Sequence, residues 1–137
     1  MRARVDRHCD RRAGRGWASI EEPLQLAAAL ERAAQSCALA LVDCLTVWMA
    51  NRVYQADQAG QALTEQTVAE ECHRVLEAAR RLPVGTVFVT GEAGMGIVPK
   101  NELDRRFRGL PGVCNQTIAA DGDEVTLLVC GQPLRIK

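Results

Sequence analysis

The segment from Thr86 to Leu110, TVFVTGEAGMGIVPKNELDRRFRGL, decides the fold. Its β-branched and aromatic run Val87–Val89 is typical of a buried strand, and the run stops at Thr90. The loop that follows has glycines at positions 91, 94 and 96, which permit positive φ and close approach of the backbone to a ligand. A strand, a glycine-rich loop at its carboxyl end and a helix behind the loop predict one edge of a ligand crevice in an open α/β sheet.

The glycine spacing alone leaves a second interpretation open. It matches neither GxGxxG nor a Walker A loop, so the three glycines are equally compatible with a tight surface turn. Pro99 and Asn101 predict the end of the loop and the cap of a short helix. The apolar face of this helix is Leu103, Phe107 and Leu110. A second short helix is predicted to begin at Val113.

A second strand is predicted over Ala38–Asp43, a nearly continuous apolar run that ends in a carboxylate. Such a run is typical of a central parallel strand that is buried on both faces. P-loop proteins present an aspartate to Mg²⁺ from the carboxyl end of a strand of this kind. Asp43 could equally be the N-cap of the next helix, which is predicted over Leu45–Ala56.

Helical periodicity accounts for much of the remaining chain. Pro23 at a first helical position predicts a helix over Glu22–Gln35. A longer helix begins at Thr64 or at Thr67, where Glu70 would complete a capping box, and Pro83 stops it. Its predicted buried face is Val68, Cys72, Val75, Leu76 and Ala79, with His73 partly exposed.

Two strands are predicted to end the chain, Glu124–Cys130 and Leu134–Lys137, joined by a turn over Gly131–Pro133. Helices therefore alternate with buried strands along the sequence. The predicted class is α/β with a mostly parallel sheet flanked by helices, and 137 residues predict a single domain over 1–137.

Composition excludes several classes of function. Seventeen basic and seventeen acidic side chains cancel, so no overall charge attracts nucleic acid or an anionic membrane. No apolar run reaches the length of a membrane span. The six cysteines include no CxxC pair, and Cys37, Cys44, Cys72 and Cys130 lie among apolar residues, which predicts free thiols in a reducing cytoplasm.

The amino-terminal segment differs from the rest of the chain. Residues 1–16 carry six arginines against two aspartates, a local charge of +4 without His8. A locally cationic segment on a neutral protein suits a phosphorylated small molecule better than a polymer. A histidine in such a basic loop is ordinarily a solvated side chain.

Several stretches resemble one family, the bifunctional adenosylcobinamide kinase / adenosylcobinamide-phosphate guanylyltransferases of cobalamin biosynthesis. VTGEAGMGIVPKN at 89–101 is similar to the family's V-T-N-E-V-G-x-G-I-V-P-x-N, with glycine in place of the asparagine. The strand end D-C-L-T-V-W with Asn51 resembles D-C-L-T-L-W-L-x-N, and VCNQ at 113–116 resembles part of G-R-x-N-Q-x-x-A. RVDRHCDRR resembles R-I-x-x-H-x-x-x-R, followed by a similarity to W-x-T-x-E-E-P, and the last fifteen residues resemble D-E-V-x-L-V-V-x-G-x-P-L-x-x-K.

The resemblance implies a P-loop NTPase-like, RecA-like nucleotide-binding domain that uses GTP, ATP and Mg²⁺, and a homo-oligomer with sites between subunits. It implies that His8 is the nucleophile that takes GMP from GTP, and that Arg11 or Arg12 clamps the phosphate. It implies that Cys9, Asp10 and Glu21 contribute to nucleotide binding, and that Asp43 binds Mg²⁺ or nucleotide. From its position alone, Glu21 could instead be an acidic residue favoured by a helix dipole.

Members of this family open with a strand and a G-G-x-x-S-G-K-S loop, and no GxxxxGK[ST] occurs in this sequence. We therefore expect the chain to lack the first strand and the Walker A loop of the family, which puts the kinase half of the activity in question. The alternative expectation is a catalytically inactive, truncated module that binds nucleotide or supports oligomerisation.

Overall fold

Four helices and two two-stranded sheets make up the part of the chain that this computed structural model describes, residues 14–92 and 102–137, with backbone alone at 102–108. In chain order the elements are α1 (Leu26–Ala33), β1 (Leu39–Asp43), α2 (Leu45–Gln58), α3 (Glu65–Ala79), β2 (Gly85–Val89), α4 (Glu102–Asp121), β3 (Thr126–Val129) and β4 (Gln132–Arg135). Helices alternate with the parallel strands, so the predicted α/β class is confirmed. No helix in the described ranges has the length and apolar character needed to cross a bilayer.

The parallel sheet pairs the two strands that the sequence predicted on either side of the α2–α3 crossover. Leu39 lies opposite Gly85, and Asp43 lies opposite Val89. Because the register is parallel and unbroken, both strands end at the same level. The sheet therefore brings the strand-end aspartate and the start of the glycine-rich loop to one edge.

One face of this sheet is covered and the other is exposed within the described ranges. Ala40, Val42 and Phe88 pack against the hydrophobic core, whereas Leu39 and Leu41 are 44% and 41% exposed. The prediction of a strand buried on both faces was therefore wrong for this part of the chain. The burial predicted for Val87–Val89 was also wrong at two positions, because Val87 and Val89 are 50% and 41% exposed. The described helices pack on one side of β1 and β2, and an apolar run alone does not say which sides are covered.

Helix α3 forms the centre of the core. Its N-cap is Thr64, whose hydroxyl accepts a hydrogen bond from the Thr67 N–H over 3.1 Å, and the capping box proposed at Thr67 does not begin the helix. The helix ends at Ala79, before Pro83. His73 is exposed rather than partly exposed. The predicted buried face is confirmed at every position: Val68, Cys72, Val75, Leu76 and Ala79.

Helix α1 is shorter than predicted. It begins at Leu26 with Gln25 as N-cap, and it ends at Ala33. The Glu22 carboxylate accepts hydrogen bonds from the backbone N–H groups of Leu24 and Gln25, so the residues around Pro23 form a turn ahead of the helix. Pro23 is therefore not the first helical residue.

Helix α4 replaces the two short helices predicted after the glycine-rich loop. It runs for 20 residues through Pro111, whose side chain is fully buried. Proline removes one helical hydrogen bond, and burial of Leu110, Cys114 and Ile118 in the core keeps the helix continuous across it. The predicted cap at Asn101 lies outside the described residues.

The last two strands form a separate antiparallel hairpin, not a further part of the parallel sheet. Val129 pairs with Gln132, so the turn consists of Cys130 and Gly131, both with positive φ (50° and 76°). A two-residue turn in which both residues have positive φ has a backbone twist that matches the twist of the two flanking strands. The predicted turn over Gly131–Pro133 was wrong, because Pro133 lies in β4 opposite Leu128. Cys130 is exposed, contrary to the prediction of apolar surroundings.

Candidate active site

The carboxyl ends of β1 and β2 form the candidate active site, here called the strand-end site: Asp43, Thr46, Thr90, Gly91, Glu92 and Asn115. Asp43 ends β1 and is exposed at the edge. The N-cap of α2 is Cys44, in an extended conformation and without a side-chain cap. The alternative in which Asp43 caps α2 was therefore wrong, and its carboxylate is not used to start the helix.

Two threonines connect the strand ends. The Thr46 hydroxyl, in the first turn of α2, accepts a hydrogen bond from the Gly91 N–H over 2.8 Å. The hydroxyls of Thr46 and Thr90 lie 3.3 Å apart and share a hydrogen bond. These contacts hold Gly91, the first residue of the glycine-rich loop after β2, against α2.

Asn115 completes the network from α4. Its Oδ1 accepts a hydrogen bond from the Thr90 hydroxyl over 2.7 Å. Its Nδ2 donates to the carbonyl of Gly91 over 3.2 Å and to Oε1 of Glu92 over 3.0 Å. Three elements, α2, β2 and α4, therefore hold the first two residues of the glycine-rich loop.

From the sequence, Asp43 was predicted as a site residue and Gly91 as part of a loop that approaches a ligand, but no site role was predicted for Thr46, Thr90 or Asn115. All three lie in stretches that resemble the family signatures, the T of D-C-L-T, the T of V-T-N-E and the N of N-Q. That resemblance was the available signal. Which atoms meet depends on the packing of α4 against α2, and a local pattern does not contain that information.

Glu21 and Glu22 lie in the segment ahead of α1. Glu21 is exposed, and it lies five positions before Leu26, the first residue of α1. It is Glu22 that satisfies backbone donors near the helix start. The hydrogen bonds from Gln25 and Leu24, with Arg32 at 3.6 Å, lower the pKa of the Glu22 carboxyl below its ordinary value.

This segment is attached to the first two turns of α2. Nε1 of Trp48 donates to the Leu24 carbonyl over 2.9 Å, and Nδ2 of Asn51 donates to the Pro23 carbonyl over 3.3 Å. Trp48 is 5% exposed, so the anchor is a buried one. The attachment holds Pro23 and Leu24, which follow Glu21 and Glu22 in the chain, against the helix whose amino terminus belongs to the strand-end site.

Five of the predicted site residues, and part of the glycine-rich loop, lie outside the described residues. They are His8, Cys9, Asp10, Arg11 and Arg12, together with 93–101 of the loop. Of the predicted site residues, the structure describes Glu21 and Asp43.

The side chains of the strand-end site carry oxygen atoms of the kind that bind metal ions. Two carboxylates and two hydroxyls belong to residues at this edge of the sheet: Asp43, Glu92, Thr46 and Thr90. Oxygen ligands are the donors that Mg²⁺ prefers, so this chemistry fits the predicted metal. Among the side chains that the structure describes, those of 14–92 and 109–137, no three His, Cys, Asp or Glu residues are grouped as a metal cluster. Any bound Mg²⁺ would then be completed by water and phosphate oxygens, as is usual for this ion.

Comparison with known proteins gives one family. The family model described as cobinamide kinase / cobinamide phosphate guanyltransferase matches residues 1–136. The bifunctional adenosylcobalamin biosynthesis protein CobP of Pseudomonas aeruginosa is 36% identical over 137 residues, which cover 100% of this chain and 75% of that protein. Proteins named bifunctional adenosylcobalamin biosynthesis protein CobU are 34% identical in Salmonella typhimurium and 32% in Escherichia coli, covering 100% of this chain and 78% of each.

Proposed function

Because the chain belongs to the cobinamide kinase / cobinamide phosphate guanyltransferase family, we propose that it phosphorylates adenosylcobinamide and then transfers GMP from GTP to the product. The observation that carries this proposal is the family match over 1–136, supported by three bifunctional relatives at 32–36% identity. The resemblance predicted from the sequence motifs is thereby confirmed. The chain is an enzyme of cobalamin biosynthesis, and the roles of its individual residues are proposals.

The proposed nucleophile for guanylyl transfer is His8. A neutral imidazole nitrogen attacks the α-phosphorus of GTP, a P–N bond forms, and the bond to the β-phosphate oxygen breaks to release pyrophosphate. A phosphate oxygen of adenosylcobinamide phosphate then attacks the same phosphorus and displaces the imidazole. Arg11 and Arg12 neutralise charge on the phosphate oxygens, because a guanidinium matches two of them at once. Cys9 and Asp10 lie beside them in the sequence.

The strand-end site is the proposed nucleotide-facing edge of a P-loop NTPase-like sheet. Asp43, exposed at the carboxyl end of β1, would bind Mg²⁺ or the nucleotide. Bound Mg²⁺ supplies charge neutralisation at the phosphate oxygens. Glu21, which is exposed and lies three residues before the Leu24 carbonyl that Trp48 of α2 binds, is the proposed contact to the guanine nucleotide. From the family resemblance we also propose that the enzyme is cytoplasmic and works as a homo-oligomer.

Labelling with GTP tests the nucleophile. Incubation with Mg²⁺ and GTP carrying ³²P at the α-phosphate is expected to leave a covalent, acid-labile label that adenosylcobinamide phosphate removes. His8→Ala is expected to abolish this label. The chain has two histidines, and His73 is exposed on α3, so His73→Ala is the matched control and is expected to label normally.

Two results would contradict the proposal. Label that persists on His8→Ala would show that another residue is the nucleophile. An unaltered protein that takes no label from GTP, and transfers no γ-phosphate from ATP to adenosylcobinamide, would show that this chain catalyses neither half of the reaction.

A further inference from the structure

We infer that Asn115 is a positioning residue of this enzyme, which holds Gly91 and Glu92 in the geometry that the reaction requires. The inference rests on the proposed function and adds to it a residue of α4. None of the predicted site residues lies on that helix. Asn115 is not proposed to touch substrate. Its action passes through the residues that it orients at the strand-end site.

The hydrogen bonds of Asn115 use both ends of its amide. Oδ1 accepts from the Thr90 hydroxyl at 2.7 Å, and Nδ2 donates to the Gly91 carbonyl at 3.2 Å and to the Glu92 carboxylate at 3.0 Å. An asparagine side chain has two N–H donors and one carbonyl acceptor, and this set engages all three groups. Aspartate has the same shape but no donor, so the site requires the amide and not merely its volume.

The part of α4 that carries Asn115 is packed into the hydrophobic core. Cys114, the residue before Asn115, is fully buried, and Ile118 is 7% exposed in the same core cluster. Helix α4 packs against both α2 and α3. The position of Nδ2 is therefore set by the core of the domain, while the groups that it binds belong to the start of a loop.

The loop residues lie next to the strand-end aspartate. Asp43 is the register partner of Val89, and Thr90 and Gly91 follow Val89 directly. Thr46 holds the Gly91 N–H from the α2 side, and Asn115 holds the Gly91 carbonyl from the α4 side. Gly91 is thus fixed on both sides of its backbone within two residues of the strand end.

These contacts orient Oε1 of Glu92 at the strand-end site, the proposed nucleotide-facing edge of the sheet. Glu92 is exposed, and its Oε1 is bound by Asn115. Without the donor, the carboxylate and the backbone of the loop can both turn away. Misplacement of reacting groups by about 1 Å can reduce turnover on the order of 100-fold, so a positioning role predicts a large effect on rate.

The test compares Asn115→Asp with Gln116→Ala. Gln116 is the next residue of α4 and is exposed, so its truncation changes the same helix without touching the network. For each protein we would measure the maximal rate of labelling by GTP carrying ³²P at the α-phosphate, the half-saturating GTP concentration, the urea unfolding midpoint and the hydrogen exchange of the Gly91 amide.

Asn115→Asp is expected to lower the maximal rate by about 10- to 100-fold and to leave the half-saturating GTP concentration within about 3-fold. Its Gly91 amide is expected to exchange at least about 10-fold faster, because the loop start is released on one side. Loss of two hydrogen bonds at the loop start is expected to lower the unfolding midpoint slightly, with the variant still folded in the assay buffer. Gln116→Ala is expected to match the unaltered protein in every measurement.

The outcomes separate the two proposals. An unaltered protein that labels normally, with an Asn115→Asp variant that labels equally fast, overturns the positioning role and leaves the proposed function intact. A rate loss that is no larger than the fraction of the variant unfolded in the assay buffer also overturns it. An unaltered protein that does not react with GTP removes the proposed function, and the role of Asn115 in it falls with that result.

Discussion

Thr46 accepts a hydrogen bond from the backbone N–H of Gly91 over 2.8 Å, and so connects two residues that are 45 positions apart. The contact joins the first turn of α2 to the first residue of the glycine-rich loop. Both parallel strands end beside it, because Asp43 and Val89 are register partners. One hydroxyl thus fixes the relative positions of the two segments that leave the sheet at the strand-end site.

Removal of that hydroxyl is expected to loosen the loop. Thr46→Val keeps the shape of the side chain and leaves the Gly91 N–H without this acceptor, at an expected cost of about 1 kcal/mol in the free energy of unfolding. Thr46→Ser keeps the acceptor and is the matched control. Urea unfolding and exchange of the Gly91 amide measure the two effects. Equal amide exchange in the valine and serine variants would contradict this assignment.

Gly91 is expected to tolerate asparagine, the residue that the family signature has at this position. The φ of Gly91 lies outside the left-handed region, and an added Cβ would meet the Thr46 hydroxyl at 3.4 Å, an ordinary contact. We expect Gly91→Asn to change the free energy of unfolding by less than about 0.5 kcal/mol.

Gly131→Ala provides the contrast for Gly91→Asn. Gly131 has a φ of 76° in the turn between β3 and β4, and a side chain there is strained even though space is open around it. We expect this substitution to destabilise the protein by about 1–2 kcal/mol in urea unfolding. A larger loss for Gly91→Asn than for Gly131→Ala would reverse the interpretation of the two backbone conformations.

The features that sequence reasoning predicted well depend on local periodicity. The five buried residues of α3 and the strand Val87–Val89 with its stop at Thr90 follow from side-chain spacing alone. The carboxylate at the end of β1 was likewise visible in the sequence, and the structure brings it beside the glycine-rich loop.

The features that it missed depend on contacts between distant segments. The start of α1 shifts to Leu26 because one side chain, Glu22, satisfies two backbone donors. Helix α4 continues through Pro111 because that proline is buried in the core. Asn115 reaches Glu92 across 23 positions of sequence, and nothing in the spacing of either residue indicates that contact.

The turn ahead of α1 is expected to weaken in acid. Hydrogen bonds from Gln25 and Leu24, with the Arg32 charge, lower the pKa of Glu22 in the folded protein. A carboxyl whose folded pKa is depressed stabilises the fold fully above its unfolded pKa, and the contribution is lost as the pH falls through the folded value. The difference in unfolding free energy between the unaltered protein and Glu22→Gln should therefore shrink between about pH 5 and pH 3.

Chemical denaturation across that range measures the difference, and NMR titration of the Glu22 carboxyl gives its midpoint directly. A midpoint at or above the ordinary value for glutamate, or a difference between the two proteins that grows as the pH falls, would contradict the assignment.

Arg52 and Glu71 join α2 to α3 through a partly buried ion pair, with side chains 19% and 13% exposed. Arg52 also donates to Oε1 of Gln55 over 2.6 Å. Arg52→Met is expected to destabilise the protein by about 1–3 kcal/mol, because it leaves the Glu71 carboxylate without its charged donor. Arg52→Met combined with Glu71→Leu is expected to recover part of that loss, since no uncompensated charge remains.

An exposed pair on the same protein serves as the control for this comparison. Arg81 and Glu31 lie 3.1 Å apart with side chains 64% and 50% exposed, and Arg81→Met is expected to cost less than about 1 kcal/mol. Urea unfolding of the four variants, with Glu71→Leu alone completing the cycle, gives the coupling energy of the partly buried pair. A coupling energy no larger than the effect of Arg81→Met would show that burial does not strengthen the Arg52–Glu71 interaction.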